Sequence, residues 1–203
     1  MMKNHNMAIV LVHEIYGVNE HMKYMKEILS KLGIDIICPN LLHKKISYLY
    51  REEEFAYENF TQNVGFEKGV QQINQVIAEL KQQYRRVGVI GFSVGATIAW
   101  LCGENKICDF VIGCYGSRIR NYVDVEPTCP TLLIFANKEK AFDIHKLVDV
   151  LKKKRYSFLQ VKSFEGSHGF MDPFSDNYKK LSAHLALQHI NEFVQKQLSE
   201  SFL

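Results

Sequence analysis

The residue around which chemistry could be built is Ser93, at the centre of Gly91-Phe92-Ser93-Val94-Gly95, a G-x-S-x-G pattern. Val87-Gly88-Val89-Ile90 before it reads as a buried strand, and Ala96 to Trp100 after it is compatible with a helix. Strand, tight turn and helix form the context of a nucleophile elbow, which strains the serine and exposes its hydroxyl at the tip of the turn. The flanking glycines let strand and helix approach without a Cβ clash. A glycine-rich turn with an N-capping serine would share the pattern; the strand before and the helix after favour the nucleophile.

A serine hydroxyl needs a base to take its proton, and the base needs an acid to orient it. On a sheet of this kind the chain order is nucleophile, acid, histidine. Of eight histidines, only His168, in Glu165-Gly166-Ser167-His168-Gly169-Phe170, falls in a glycine-bounded loop after the last predicted strand. His184 and His189 fall within the final predicted helix, and His145 at the start of another. Two carboxylates follow the predicted strand at Thr131 to Phe135: Glu139 in a turn, and Asp143 placed to cap the next helix. Residue types alone leave both open as the acid. An oxyanion needs two backbone N–H donors. Val94, directly after the nucleophile, is one expectation, and Ile15, in the loop after an early strand, is the other. His13-Glu14 begins like H-E-x-x-H, but Gly17 holds the last position, so no zinc site is expected. The elbow lacks the lysine of a phosphate-binding loop and the G-x-G-x-x-G of a dinucleotide site.

These residues need a scaffold that brings loops together. Met7 to Val12 is an apolar run of strand length, and Asn19 can cap a helix carrying Met22, Met25, Ile28, Leu29 and Leu32. Gly33 stops that helix, and Ile34 to Cys38 is a second strand, parallel to the first. Asn40 to Thr61 is irregular and reads as a loop plus a short helix over the sheet edge. Phe66, Val70, Ile73, Ile77, Leu80 and Tyr84 then mark a long amphipathic helix. Further strands are expected at Phe110 to Cys114, Pro130 to Ala136 and Ser157 to Val161. A helix carries Ile144, Leu147, Val148 and Leu151. A final one, with Ser175 as its cap, carries Leu187, Ile190, Val194 and Leu198. Strands alternating with helices imply an α/β fold: a doubly wound, mostly parallel sheet with helices on both faces.

At 203 residues the chain is expected to form one domain, residues 1–203. A net charge of +3 with no dense basic stripe argues against nucleic acid as a partner. Lys152-Lys153-Lys154-Arg155 reads as a solvated helix C-terminus. Cys38, Cys102, Cys108, Cys114 and Cys129 form no C-x-x-C pair, which predicts reduced thiols and a cytoplasmic location. The apolar run near the N-terminus is too short for a signal peptide, and no stretch is long enough for a membrane span.

Three segments together resemble the dienelactone hydrolase family of α/β-hydrolases. They are His13-Glu14-Ile15-Tyr16-Gly17-Val18-Asn19 with the later Cys38-Pro39-Asn40-Leu41, the elbow, and Gly166-Ser167-His168-Gly169-Phe170. The resemblance implies an α/β-hydrolase fold, Ile15 as the second oxyanion donor and Glu14 beside the nucleophile. It implies pocket positions at Tyr16, Tyr115 and Arg118. In the family register the acid lies three residues past a usual glycine; Ala136 stands there, so the acid position falls on Glu139. The family's namesake enzymes carry cysteine where Ser93 stands and usually aspartate where Glu139 stands. They carry an arginine for the substrate carboxylate where Asp172 stands. The expectation is therefore a serine hydrolase of a small-molecule ester or lactone, without cofactor, and with repulsion from Asp172 disfavouring anionic substrates. The alternative is a binding or sensor protein that keeps the fold with little turnover.

Overall fold

The computed structural model describes residues 6–139, 142–154 and 156–199. Strand β1 (Met7–Val12) leads through a loop to helix α1 (Glu20–Ser30), where the Asn19 side chain accepts from the Met22 amide. Gly33 turns the chain at φ +74° into the short strand β2 (Asp35–Ile37). A single 3-10 turn (Tyr50–Glu52) precedes α2 (Glu53–Asn59), which widens into a π turn (Phe60–Val64) before α3 (Gly65–Leu80). Then follow β3 (Arg86–Phe92), α4 (Val94–Cys102), β4 (Phe110–Cys114), β5 (Thr131–Lys138), α5 (Ile144–Lys153), β6 (Leu159–Ser167) and α6 (Lys180–Ser199).

The six strands lie in the order β2-β1-β3-β4-β5-β6, and every adjacent pair is parallel. This is the α/β-hydrolase fold, with helices on both faces. Alternation along the strands divides the core. Met7, Ile9 and Leu11 face α1 and α6, packing with Met22, Met25, Ile190 and Val194. Val10, Val12, Val87 and Val89 face α3 and α4, packing with Ile73, Ile77 and Ile98. Leu133 and Phe135 meet Trp100 and the α5 residues Ile144, Leu147 and Leu151. Burial on both faces explains why β1 and β3 read as continuous apolar runs rather than as alternation.

Several boundaries differ from the sequence reading. The last strand runs on to Ser167, so His168 directly follows it. Ser175 does not cap α6, which begins at Lys180; its hydroxyl accepts from the Asn177 amide within a run of turns. Tyr84 lies past the end of α3 and donates its hydroxyl to Asp35. Arg155 of the basic run lies outside the described residues. All five cysteines are free thiols. No helix among the described residues is long and apolar enough to cross a membrane.

Parallel strands send all their following loops to one edge of the sheet, and the order reverses between β1 and β3, where α/β sheets bind ligands. The elbow sits at that reversal. A Cβ on Gly91 would lie 2.0 Å from the Gly95 carbonyl oxygen, so α4 must leave β3 across a glycine. A Cβ on Gly95 would lie 2.4 Å from the Val12 oxygen and 2.6 Å from the His13 oxygen. Both obstacles are backbone and cannot rotate away. Gly95→Ala is therefore expected to destabilise the fold by about 1–3 kcal/mol despite alanine's better helix propensity. A thermal melt checks this; an unchanged Tm would mean that α4 can slide away from β1.

Candidate active site

Ser93 stands between β3 and α4 at φ 55° and ψ −117°, a left-handed conformation that a serine adopts only when its surroundings impose it. Its amide donates to the Cys114 carbonyl at 3.0 Å, which ties the turn to the end of β4. The Ser93 hydroxyl lies 2.9 Å from His168 Nε2, and His168 Nδ1 lies 3.0 Å from Glu139 Oε1. A carboxylate only accepts, so the imidazole proton belongs on Nδ1, and Nε2 is free to accept from the serine.

The loops that bring these groups together are held by side chains. Asn177 Nδ2 donates to the His168 carbonyl at 2.9 Å, and the Gly166 amide donates to Asn137 Oδ1 at 3.1 Å. The register of β5 against β6 slips between Ala136 and Lys138, an irregularity of the kind that re-aims the residues beyond it. Glu139 follows directly and is nearly buried, with 5 % of its side chain exposed. Asp143 instead accepts from the His145 amide at 3.0 Å and caps α5. Burial alone would lower the His168 pKa. The hydrogen bond and charge of Glu139, helped by Glu14 and Glu53, outweigh it and raise the pKa above its ordinary value.

Val94 is the first residue of α4, and Ile15 lies in the loop after β1; both line the same cavity as Ser93 and His168. Among the described residues neither N–H donates to another backbone group. Two unengaged donors beside a hydroxyl at a helix N-terminus can receive a negative oxygen.

Glu14, Tyr50 and Asp172, which line this cavity, belong with His21 to a polar network that the sequence reading missed. His21 Nδ1 is 3.4 Å from Glu14 Oε2 and 3.9 Å from Asp172 Oδ2, and all three residues are buried. Tyr50 donates its hydroxyl to Asp172 Oδ2 at 2.5 Å, the Phe174 amide donates to Oδ1 at 2.9 Å, and Asn19 Nδ2 donates to the Tyr50 oxygen at 3.3 Å. Burial would raise the Glu14 pKa, but His21, then His168, offset it and the net shift is downward. Asp172 is shifted upward, chiefly by burial. Glu14, His21 and Asp172 offer ligand atoms within 4.8 Å of one another. A metal-bound imidazole needs an acceptor for its second nitrogen, and His21 Nε2 is buried without one. With Asp172 already accepting on both oxygens, the group fits an internal hydrogen-bonded network better than a metal cage. Asp172 lines the cavity, yet it is only 1 % exposed and accepts on both oxygens, so it also anchors the network.

The cavity has a volume of about 710 Å³. Tyr16 stands in its wall edge-on to Tyr50, with ring centroids 4.9 Å apart. Arg118 is in the wall as well, its guanidinium donating to the Tyr57 hydroxyl at 2.5 Å. Tyr50, Arg51, Glu53 and Tyr57 complete that side, so the segment expected over the sheet edge covers the site instead. The Tyr50–Asp172 bond draws it there. Tyr115, expected as a pocket residue, is not in the wall. It is fully buried under His168, ring against ring at 5.2 Å, because its φ of 45° after β4 turns the side chain inward.

A family model described as the dienelactone hydrolase family matches residues 2–198. The YczH protein of Bacillus subtilis (strain 168) is 42% identical over 167 residues, covering 82% of each chain. A carboxymethylenebutenolidase of Pseudomonas putida is 28% identical over 129 residues, covering 59% of this chain and 54% of that one. A crystal structure of a candidate dienelactone hydrolase from Klebsiella pneumoniae subsp. pneumoniae MGH 78578 superposes with a TM-score of 0.77 at 18% identity, covering 93% of this chain and 86% of that one. That likeness speaks for the fold alone. The match along almost the whole sequence goes further: this chain belongs to the dienelactone hydrolase family.

Proposed function

We propose that the chain hydrolyses a small carboxylic ester or lactone through an acyl-enzyme formed on Ser93. The observation that carries this reading is the unbroken line from Ser93 Oγ through both nitrogens of His168 to Glu139, with spans of 2.9 and 3.0 Å. Ser93 Oγ attacks the carbonyl carbon while His168 Nε2 takes its proton, and Glu139 stabilises the imidazolium that forms. The carbonyl oxygen becomes an oxyanion held by the Val94 and Ile15 N–H groups. His168 then passes the proton to the leaving alcohol oxygen. A water molecule, deprotonated by the same histidine, attacks the acyl group and releases the acid and free Ser93. The family membership and the butenolide-cleaving name of the Pseudomonas putida relative support the ester or lactone class.

A fluorophosphonate probe tests the serine directly, because only an activated hydroxyl is phosphonylated. Ser93→Ala should lose labelling and about 10³-fold or more in kcat while keeping its Tm. A folded Ser93→Ala protein with near-normal turnover rules out the mechanism, and a wild type that is never labelled fits a binding protein instead.

Glu139 and Asp143 should fail differently. The kcat/KM of the wild type should rise with pH as His168 loses its proton, with a midpoint above the ordinary 6.5 because that pKa is raised. Glu139→Gln removes the largest raising influence and leaves burial, so the midpoint should move to lower pH and kcat should fall by orders of magnitude. Asp143→Ala should instead cost about 1 kcal/mol of stability through its lost cap and leave kcat nearly unchanged. Abolished turnover in Asp143→Asn with an active Glu139→Gln would exchange the two roles.

With no arginine at position 172, neutral short-chain esters are expected to show higher kcat/KM than dienelactone-like carboxylates. Rates on matched neutral and anionic substrates check this. A clear preference for the anion would assign the carboxylate to Arg51 or Arg118 in the cavity wall.

A further inference from the structure

We propose that His13 is a positioning residue that aims the Ile15 N–H into the oxyanion hole, an assignment that rests on the hydrolase reading above. His13 follows β1 directly and is 1 % exposed. Its Nε2 lies 3.0 Å from the Leu41 amide nitrogen. A backbone amide only donates, so Nε2 must be the bare, accepting nitrogen, and the single proton of a neutral imidazole must sit on Nδ1. Nδ1 lies 2.6 Å from the Glu14 carbonyl oxygen and therefore donates to it. The Gly17 amide adds a longer bond, 3.3 Å, to the same oxygen.

The carbonyl of Glu14 and the N–H of Ile15 belong to one peptide unit. That unit is planar and trans, so the two groups point in opposite directions. Anchoring the carbonyl therefore fixes where the N–H points. The carbonyl is held on the His13 side, and Ile15 lines the cavity with Ser93 and Val94. An oxyanion donor must lie about 2.7–3.1 Å from the developing charge, so a small rotation of this unit disarms it. The histidine does not itself line the cavity. It acts through the peptide, braced at its far end by the loop after β2, where Leu41 lies.

Two substitutions separate the anchor from the brace. In His13→Asn the amide nitrogen can replace Nδ1 and keep the bond to the Glu14 carbonyl while losing Leu41. In His13→Gln the amide reaches the Nε2 position, keeping Leu41 and losing the carbonyl. The measurements are kcat and KM on a neutral aryl ester, and inhibition by a trifluoromethyl ketone, whose serine adduct carries an oxyanion. A thermal melt accompanies them. His13→Gln should lower kcat by about 10- to 100-fold, less than outright loss of a donor, with KM within about threefold. Its ketone affinity should weaken by a similar factor. His13→Asn should recover most of that loss.

Wild-type kcat and ketone affinity in His13→Gln overturn the assignment. So does an equal loss in both variants, or a rise in KM alone, since either marks general loop damage. If His13→Gln does not fold, a loss beyond about 100-fold in a folded His13→Asn overturns it as well. The hydrolase reading fails separately, in a wild type that neither takes the fluorophosphonate at Ser93 nor turns over ester, and its failure removes this role too.

Discussion

The close approach of backbone to backbone at Gly95 is the constraint on which the rest depends. Helix α4 starts so near the end of β1 that no side chain fits between Gly95 and the carbonyls of Val12 and His13. That contact sets the proposed nucleophile, two residues earlier at the N-cap of α4, against the loop carrying Glu14 and Ile15. With Gly91 clearing the exit from β3, the turn has no room to relax, and Ser93 is held at its positive φ. The strain is local, but the packing that imposes it belongs to three strands and a helix.

Around that contact the fold works by converging loops. Five of the six strands deliver something to one edge of the sheet: β1 the Glu14–Ile15 loop, β3 the serine, β4 the buried Tyr115, β5 Glu139 and β6 His168. Polar contacts from elsewhere in the chain hold two of these loops, Asn177 on the histidine loop and the Leu41 amide on His13 of the loop after β1. The network of Glu14, His21, Asp172 and Tyr50 joins α1, the covering segment and the histidine loop at the cavity. The Glu14 charge sits close enough to His168 to contribute to the upward shift of that imidazole.

The strands, the elbow and the loop of His168 were legible in the sequence because each is a local pattern. Apolar runs of strand length, glycines at a turn and a capping Asn19 need only their neighbours to be recognised. The boundaries that shifted are those where distant contacts intervene. Pairing with β5 extends β6 to Ser167, and turns around the Asp172 and Ser175 side chains delay the start of α6. Residues 40–61 read as a loop and a short helix, but their place over the site was not legible, for the same reason. Tyr50 reaches Asp172 across 122 positions of sequence, and no local pattern announces it.

By itself, then, the sequence determined an alternating parallel α/β chain, with Ser93 on a tight turn and one histidine in a glycine-bounded loop. It determined these because hydrophobic period and glycine placement act over a few residues. Only the tertiary structure set the Glu139 carboxylate against His168 and left that of Asp143 on its helix, the arrangement on which the proposed role of Glu139 rests. It also turned Tyr115 away from the cavity and made a buried anchor of Asp172. It drew His13, to which the sequence reading assigned no role, onto the peptide beside the serine. The placements of Glu139, Asp172 and His13 depend on which nitrogen or oxygen finds a partner within about 3 Å, and that distance is a property of the packed chain.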